Sequence, residues 1–218
     1  EAKEFARAFF MAMNFYSLEK SMDIARSRGA MFNGFEKSEY AKGTYFERYE
    51  REDFRPVSPV VKALFEGIPL PSPEEWTALK SLVREHGLYH AYRLAIAPTQ
   101  SISYIQNATS SVMPIVEQIE TRTYANSTTY YPMPYMNKTN FFFYKSAYNM
   151  DQFKVLDLIA EIQAHVDQGI STVLHVNSDV TTRQLARYYV YAAKKGLKSL
   201  YYTRTNRLSV EECISCSV

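Results

Sequence analysis

At 218 residues the chain is long enough for one large domain or two small ones, with ample material for a core. Its 46% hydrophobic and 22% charged residues are ordinary for a globular protein, and a net charge of +2 gives no pull toward a nucleic-acid polymer or a membrane surface. No stretch approaches the roughly 18 consecutive apolar residues of a membrane span, and the charged, amphipathic start "EAKEFARAFF" is not a signal peptide.

Taken in chain order, residues 1–28 carry Phe5, Phe9, Met13, Tyr16 and Ile24 at helical spacing, with Gly29 as the stop. A glycine- and aromatic-containing loop is expected next. The stretch "PSPEEWTALKSLVREHG" has a full set of helix-start signals: Ser72 as cap, Pro73 at the first helical position, Glu75 to close a capping box, and Gly87 as the end. "LAIA" (94–97) reads as a short strand running into small hydroxyl residues. Residues 122–150, rich in Tyr, Pro and Asn, read as long surface loops.

The C-terminal third has the clearest pattern. "DQFKVLDLIAEIQAHVDQG" predicts an amphipathic helix ended by Gly169, and "STVLHVN" (171–177) a strand. "TTRQLARYYVYAAKKG" predicts a helix capped by Thr181 or Thr182 and ended by Gly196, and "LKSLYYTR" (197–204) a second strand. Strand, helix, strand makes a βαβ unit, so the expected class is α/β with a parallel sheet. After Arg204 the apolar periodicity stops, and residues 205–218 read as a mobile tail.

Both cysteines of the chain, Cys213 and Cys216, lie in that tail. Their spacing suits half of a zinc site or a dithiol pair in which one thiolate resolves a mixed disulfide made by the other. The four histidines are scattered and none lies near the tail, which disfavours zinc. From Thr205 the tail reaches roughly 40 Å when extended, enough for a shuttle. Tyr201 and Tyr202 read first as ordinary strand residues pointing to opposite faces, although paired phenols can also relay a radical. "APTQSIS" (97–103) offers consecutive backbone N–H groups and three hydroxyls, a reasonable cradle for a phosphate, or an ordinary strand-to-loop turn. His165 and Asp167 are expected to cap and hydrogen-bond locally at a helix end. Three N-x-[ST] sequons, at Asn107, Asn126 and Asn137, are a mild excess that would suit secretion; two tail cysteines would make a poor disulfide framework, which favours a reducing, cytoplasmic setting.

"LAIAPTQSISYIQNATSSVMPI", "HVDQGIS", "GLKSLYYTR" and the terminal "CISC", in this order, closely resemble the C-terminal part of the large subunit of class Ib ribonucleotide reductase, over the whole chain. The resemblance implies that residues 1–204 are the later portion of a ten-stranded α/β barrel and 205–218 a redox tail. It implies that Pro98, Thr99, Gln100, Ser101 and Ile102 bind the phosphates of a ribonucleoside diphosphate through backbone amides and hydroxyls. It implies that Tyr201 and Tyr202 pass a radical arriving from a metal-containing small subunit. It also implies that Cys213 and Cys216 re-reduce an active-site disulfide and are reset by a glutaredoxin- or thioredoxin-like protein. The radical-bearing cysteine, the two reducing cysteines and their carboxylate and amide neighbours belong upstream of this sequence. The chain is therefore expected to be a fragment or split half that needs the N-terminal portion of the large subunit, and to bind no cofactor itself. A secreted aromatic-rich binding module and a stand-alone dithiol redox adaptor are the alternatives.

Overall fold

The structure, a computed structural model, describes residues 1–99 and 102–206. They divide into two units, residues 1–95 with 161–168 and residues 96–160 with the remainder from 169 onward.

In the first unit α1 (Ala2–Arg28) runs unbroken to Gly29, which takes the left-handed conformation (φ 59°) and returns its N–H to the Ala25 carbonyl. The helix is apolar on more than one side, and periodicity alone does not tell which side is buried. Met11, Phe15, Leu18 and Met22 face the core, while Phe5, Phe9, Met13 and Tyr16 remain 38–42% exposed. The expected loop after Gly29 is instead a chain of short helical turns, α2 (Glu39–Lys42) and α3 (Glu47–Glu50) with 3-10 turns before each. These turns bury Phe35, Phe46 and Tyr49. A further short helix, α4 (Pro59–Leu64), precedes α5 (Pro73–His86).

The start of α5 is as expected: Ser72 Oγ accepts from Glu75 N at 3.3 Å and Glu75 Oε2 accepts from Ser72 N at 2.7 Å. Such a cap contributes about 1 kcal/mol. Beyond it α5 delivers Trp76, Leu79 and Val83 to the core against α1, with Trp76 stacked on Tyr49 at 3.9 Å. Residues 94–97 do not form a strand. A strand exists only with a partner, and the backbone of Leu94 is engaged otherwise, its N–H on an Asp167 carboxylate oxygen (2.9 Å) and its carbonyl on the Gln168 N–H (3.2 Å).

The second unit opens with α6 (Ile102–Ile105) and then a hairpin, β1 (Ile119–Tyr124) and β2 (Ser127–Pro132), in the region expected to be irregular. Tyr124 pairs Ser127 across a two-residue turn. The Thr- and Tyr-rich runs on either side of Ala125–Asn126 are the β signal that the Pro and Asn content obscured. Residues 133–150 are irregular apart from two 3-10 turns, Phe141–Phe143 and Ala147–Asn149.

Helix α7 (Gln152–Gln163) stops well before Gly169. Gln163 turns the chain there by donating from its side chain to the carbonyls of Val166 (3.1 Å) and Gln168 (2.8 Å). The βαβ unit is present as β3 (Val173–Asn177), α8 (Thr182–Lys194) and β4 (Tyr202–Asn206), with Thr181 capping α8 through Gln184 N. β3 and β4 pair in parallel, Val173 opposite Tyr202 and His175 opposite Arg204. β4 begins later than expected and includes Thr205 and Asn206, the first residues of the expected tail. Leu156 of α7, Leu174 and Val176 of β3, and Tyr188 and Ala192 of α8 form the core between these elements. The class is α/β as expected; among the described residues the strands form two two-stranded sheets and no closed barrel.

Candidate functional site

In the second unit a cavity of about 910 Å³ is bounded by the segment after Ile96, by the β1–β2 hairpin and by the β3–β4 ladder. Pro98 lines it, and so do Tyr201 and Tyr202. Two of the sequence-predicted features thus meet in one space although about a hundred residues separate them.

The turn that carries Pro98 is held from two sides. Thr99 donates both its N–H (2.8 Å) and its hydroxyl (3.2 Å) to the Ser110 carbonyl, and its own carbonyl accepts from Ile102 N at 3.1 Å, where α6 begins. Ile102 is 57% exposed. Gln100 and Ser101 lie outside the described residues. Among the described residues of the turn the backbone N–H groups of Thr99 and Ile102 are thus committed within the protein, and the Thr99 hydroxyl is a side-chain donor that can change partner.

Tyr201 precedes β4, its N–H held by the Thr172 carbonyl at 2.8 Å, and Tyr202 is the first strand residue. Because only one of them is in the strand, the expected opposite-facing geometry does not hold. The rings meet instead at 4.7 Å between centroids, inclined by 65°. They are 68% and 45% exposed. Two phenols in contact at a cavity wall can exchange an electron over a very short distance.

His175 and Arg204, cross-strand neighbours on the ladder, line the same cavity. Burial, then the Arg204 charge, lowers the His175 pKa from its ordinary value, so the ring is neutral at neutral pH. Its Nδ1 is buried without a hydrogen-bond partner. From the hairpin side Glu120 and Arg122 face the cavity, together with Tyr104 of α6 and Tyr131. None of these residues stands out in the sequence, because the hairpin that assembles them was not foreseen.

Cys213 and Cys216 lie outside the described residues. His165 and Asp167 belong to the first unit and bond at long range, in contrast to the local capping expected. The Asp167 carboxylate accepts from Arg93 Nη2 (2.9 Å), Arg93 N (2.8 Å), Leu94 N (2.9 Å) and Tyr40 Oη (3.2 Å). The Arg93 and Asp167 side chains are 3% and 6% exposed. His165 Nδ1 lies 2.9 Å from Tyr49 Oη. This is a buried polar frame with a structural task. Among the described residues no helix is long and apolar enough to cross a membrane.

Comparison with known proteins places the chain in a family. A family profile described as "Ribonucleotide reductase, barrel domain" matches residues 1–203. The chain is 53% identical over 218 residues to the ribonucleoside-diphosphate reductase subunit alpha of Bacillus subtilis (strain 168), covering all of this chain and 31% of that protein. It is 36% identical over 219 residues to the subunit of the same name from Mycoplasma pneumoniae, covering 97% of this chain and 30% of the relative. With that of Treponema pallidum the figures are 32% identity over 215 residues, 98% of this chain and 23% of the relative. The chain spans a third or less of the length of these relatives. It belongs to the ribonucleotide reductase large-subunit family, within whose barrel domain its residues 1–203 fall.

Proposed function

We propose that the chain is the C-terminal portion of a class Ib ribonucleoside-diphosphate reductase large subunit, and that its cavity holds the diphosphate end of the substrate beside the radical-carrying tyrosines. The observation that carries the reading is that Pro98 of the phosphate turn and the Tyr201–Tyr202 pair line one cavity. The parallel β3–α8–β4 unit would supply two neighbouring strands of the ten-stranded barrel, and the barrel-domain match supports that placement.

In this reading residues 98–102 hold the phosphates. The Thr99 hydroxyl leaves the Ser110 carbonyl for a phosphate oxygen, while the Thr99 N–H keeps the turn closed. Tyr201 and Tyr202 relay the oxidising equivalent generated at the metal site of the small subunit: each phenol gives up an electron and its proton, then recovers both on the return. At the substrate the 2′-hydroxyl departs as water and the carbon gains hydrogen, with the two electrons coming from a cysteine pair on the N-terminal portion, which becomes a disulfide. Cys213 and Cys216 reduce that disulfide by thiol exchange and leave as a disulfide themselves. A glutaredoxin- or thioredoxin-like protein then resets them. The setting is cytoplasmic. The match over residues 1–203 leaves a secreted binding module and a stand-alone redox adaptor without support.

The test is nucleoside diphosphate binding to the complete large subunit carrying Thr99→Val. Loss of one charge-assisted hydrogen bond should weaken the diphosphate about tenfold, with binding of the matching nucleoside unchanged. Equal affinity of wild type and variant for the diphosphate would remove the turn from phosphate binding.

A further inference from the structure

The phosphate turn continues directly into α6, a single turn of helix too short to hold its own position. What holds it is on the hairpin. Tyr104 Oη donates to Glu120 Oε2 at 2.8 Å. The other oxygen of the same carboxylate, Oε1, accepts a guanidinium fork from Arg122, Nε at 3.1 Å and Nη2 at 2.8 Å. The Arg122 guanidinium lies 4.8 Å from the centroid of the Tyr104 ring. That ring also stacks on Tyr131 at 4.2 Å and 23°, and Tyr131 is the residue directly opposite Glu120 in the β1–β2 ladder. The cluster is built around one carboxylate. The phenol and the guanidinium both donate to it.

We propose that Glu120 is a positioning residue for the phosphate turn: it clamps Tyr104 to the hairpin and thereby fixes α6 and, through the Ile102 N–H on the Thr99 carbonyl, Thr99 for the substrate's diphosphate. The chain of contacts is short. Ile102 N bonds the Thr99 carbonyl, Tyr104 lies two residues further on, and its hydroxyl ends on Glu120. A stability role does not account for the arrangement. The Arg122 and Glu120 side chains are 33% and 38% exposed, and ion pairs at such sites contribute little to folding. Their geometry is nonetheless specific, two guanidinium N–H groups on one carboxylate oxygen and a phenol on the other. The hairpin is joined to α6 through 13 residues of chain, 106–118, and among the described residues the Tyr104–Glu120 bond ties the two directly.

The inference rests on the phosphate reading of the turn, and the experiment separates the two. In the complete reductase, steady-state kinetics with a ribonucleoside diphosphate are measured for Glu120→Ala, Tyr104→Phe, their double variant, Glu120→Gln and Thr99→Val. Glu120→Ala and Tyr104→Phe should each raise KM about fivefold to tenfold with kcat within twofold of wild type and Tm unchanged, since a displaced turn weakens binding without touching the reacting atoms. The double variant should cost no more than the worse single one, because both break the same clamp. Glu120→Gln keeps an acceptor oxygen and should return KM to within about threefold of wild type. Thr99→Val raising KM while Glu120→Ala and Tyr104→Phe leave it unchanged would overturn the clamp and keep the phosphate turn. No effect of Thr99→Val would overturn the phosphate reading and the clamp with it. A fall in kcat or Tm as large as the change in KM would assign Glu120 to another role and also overturn the proposal.

Discussion

His165 should make the first unit lose stability steeply as pH falls. Its Nδ1 is 2.9 Å from Tyr49 Oη. The same phenol oxygen receives Asn14 Nδ2 at 2.8 Å and Arg48 Nη2 at 2.5 Å. With two donors already on the oxygen, the Tyr49 hydroxyl proton points at the imidazole, which must be neutral and carry its proton on Nε2. Burial, then the charges of Arg48 and Arg7, lowers the His165 pKa from 6.5 to about 3. In the unfolded chain the ring takes a proton near its ordinary value. Between these two values the unfolded state binds the proton and the folded state does not, so the contribution of His165 is fully present above about pH 6.5 and is lost on acidification at about 1.4 kcal/mol per pH unit. From pH 7.5 to pH 5 the loss is about 2 kcal/mol, and it reaches about 4 kcal/mol by pH 3, by the same linkage. Trp76 is the chain's one tryptophan and stacks on Tyr49, so its fluorescence follows this site through urea unfolding. Wild type should lose about 2 kcal/mol more than His165→Gln between pH 7.5 and 5, because Gln offers Tyr49 an acceptor oxygen that does not titrate. Equal pH slopes for the two proteins would refute the reasoning.

Two further outcomes follow from the geometry and the family reading. Asp167→Ala leaves the buried Arg93 charge unpaired and removes the acceptor for Leu94 N, so it should cost about 3–5 kcal/mol, measured as a lower urea midpoint by the same fluorescence. In the complete enzyme Cys213→Ser and Cys216→Ser should each stop multiple turnover with a protein reductant, allow the first turnover, and regain much of their rate with a small dithiol that reaches the active site directly. Failure of the small dithiol to rescue them would take the pair out of the shuttle.

What could be read from the sequence was local. The capping box of α5 spans Ser72 to Glu75, and the βαβ unit announces itself in consecutive periodic segments with Thr and Gly at their ends. What could not be read depended on distant partners. Residues 94–97 have strand composition, yet the backbone at Leu94 bonds Asp167 and Gln168, residues far along the chain. On α1 several faces are apolar, and only the arrival of Trp76 and Phe46 decides that Phe15 is buried and Phe9 exposed. The hairpin was hidden because its Thr and Tyr residues sit within a Pro- and Asn-rich stretch, and the Glu120–Tyr104 contact was hidden with it. Tyr201 and Tyr202 are visible in the sequence as a phenol pair whose radical role is implied by resemblance, while their ring contact follows from Tyr201 lying just before the strand.

The central claim is that this chain sets a radical-carrying tyrosine pair in the same cavity as a substrate-binding turn. It is tested most directly by ribonucleoside diphosphate reduction in the complete enzyme with Tyr201→Phe and with Tyr202→Phe, measured beside nucleotide binding. Removing either hydroxyl takes away the proton that must leave with the electron and changes little packing. Turnover should fall below detection in both variants with the diphosphate Kd within about twofold of wild type. Substantial turnover in both would contradict the account and leave the two rings as packing residues at a cavity wall.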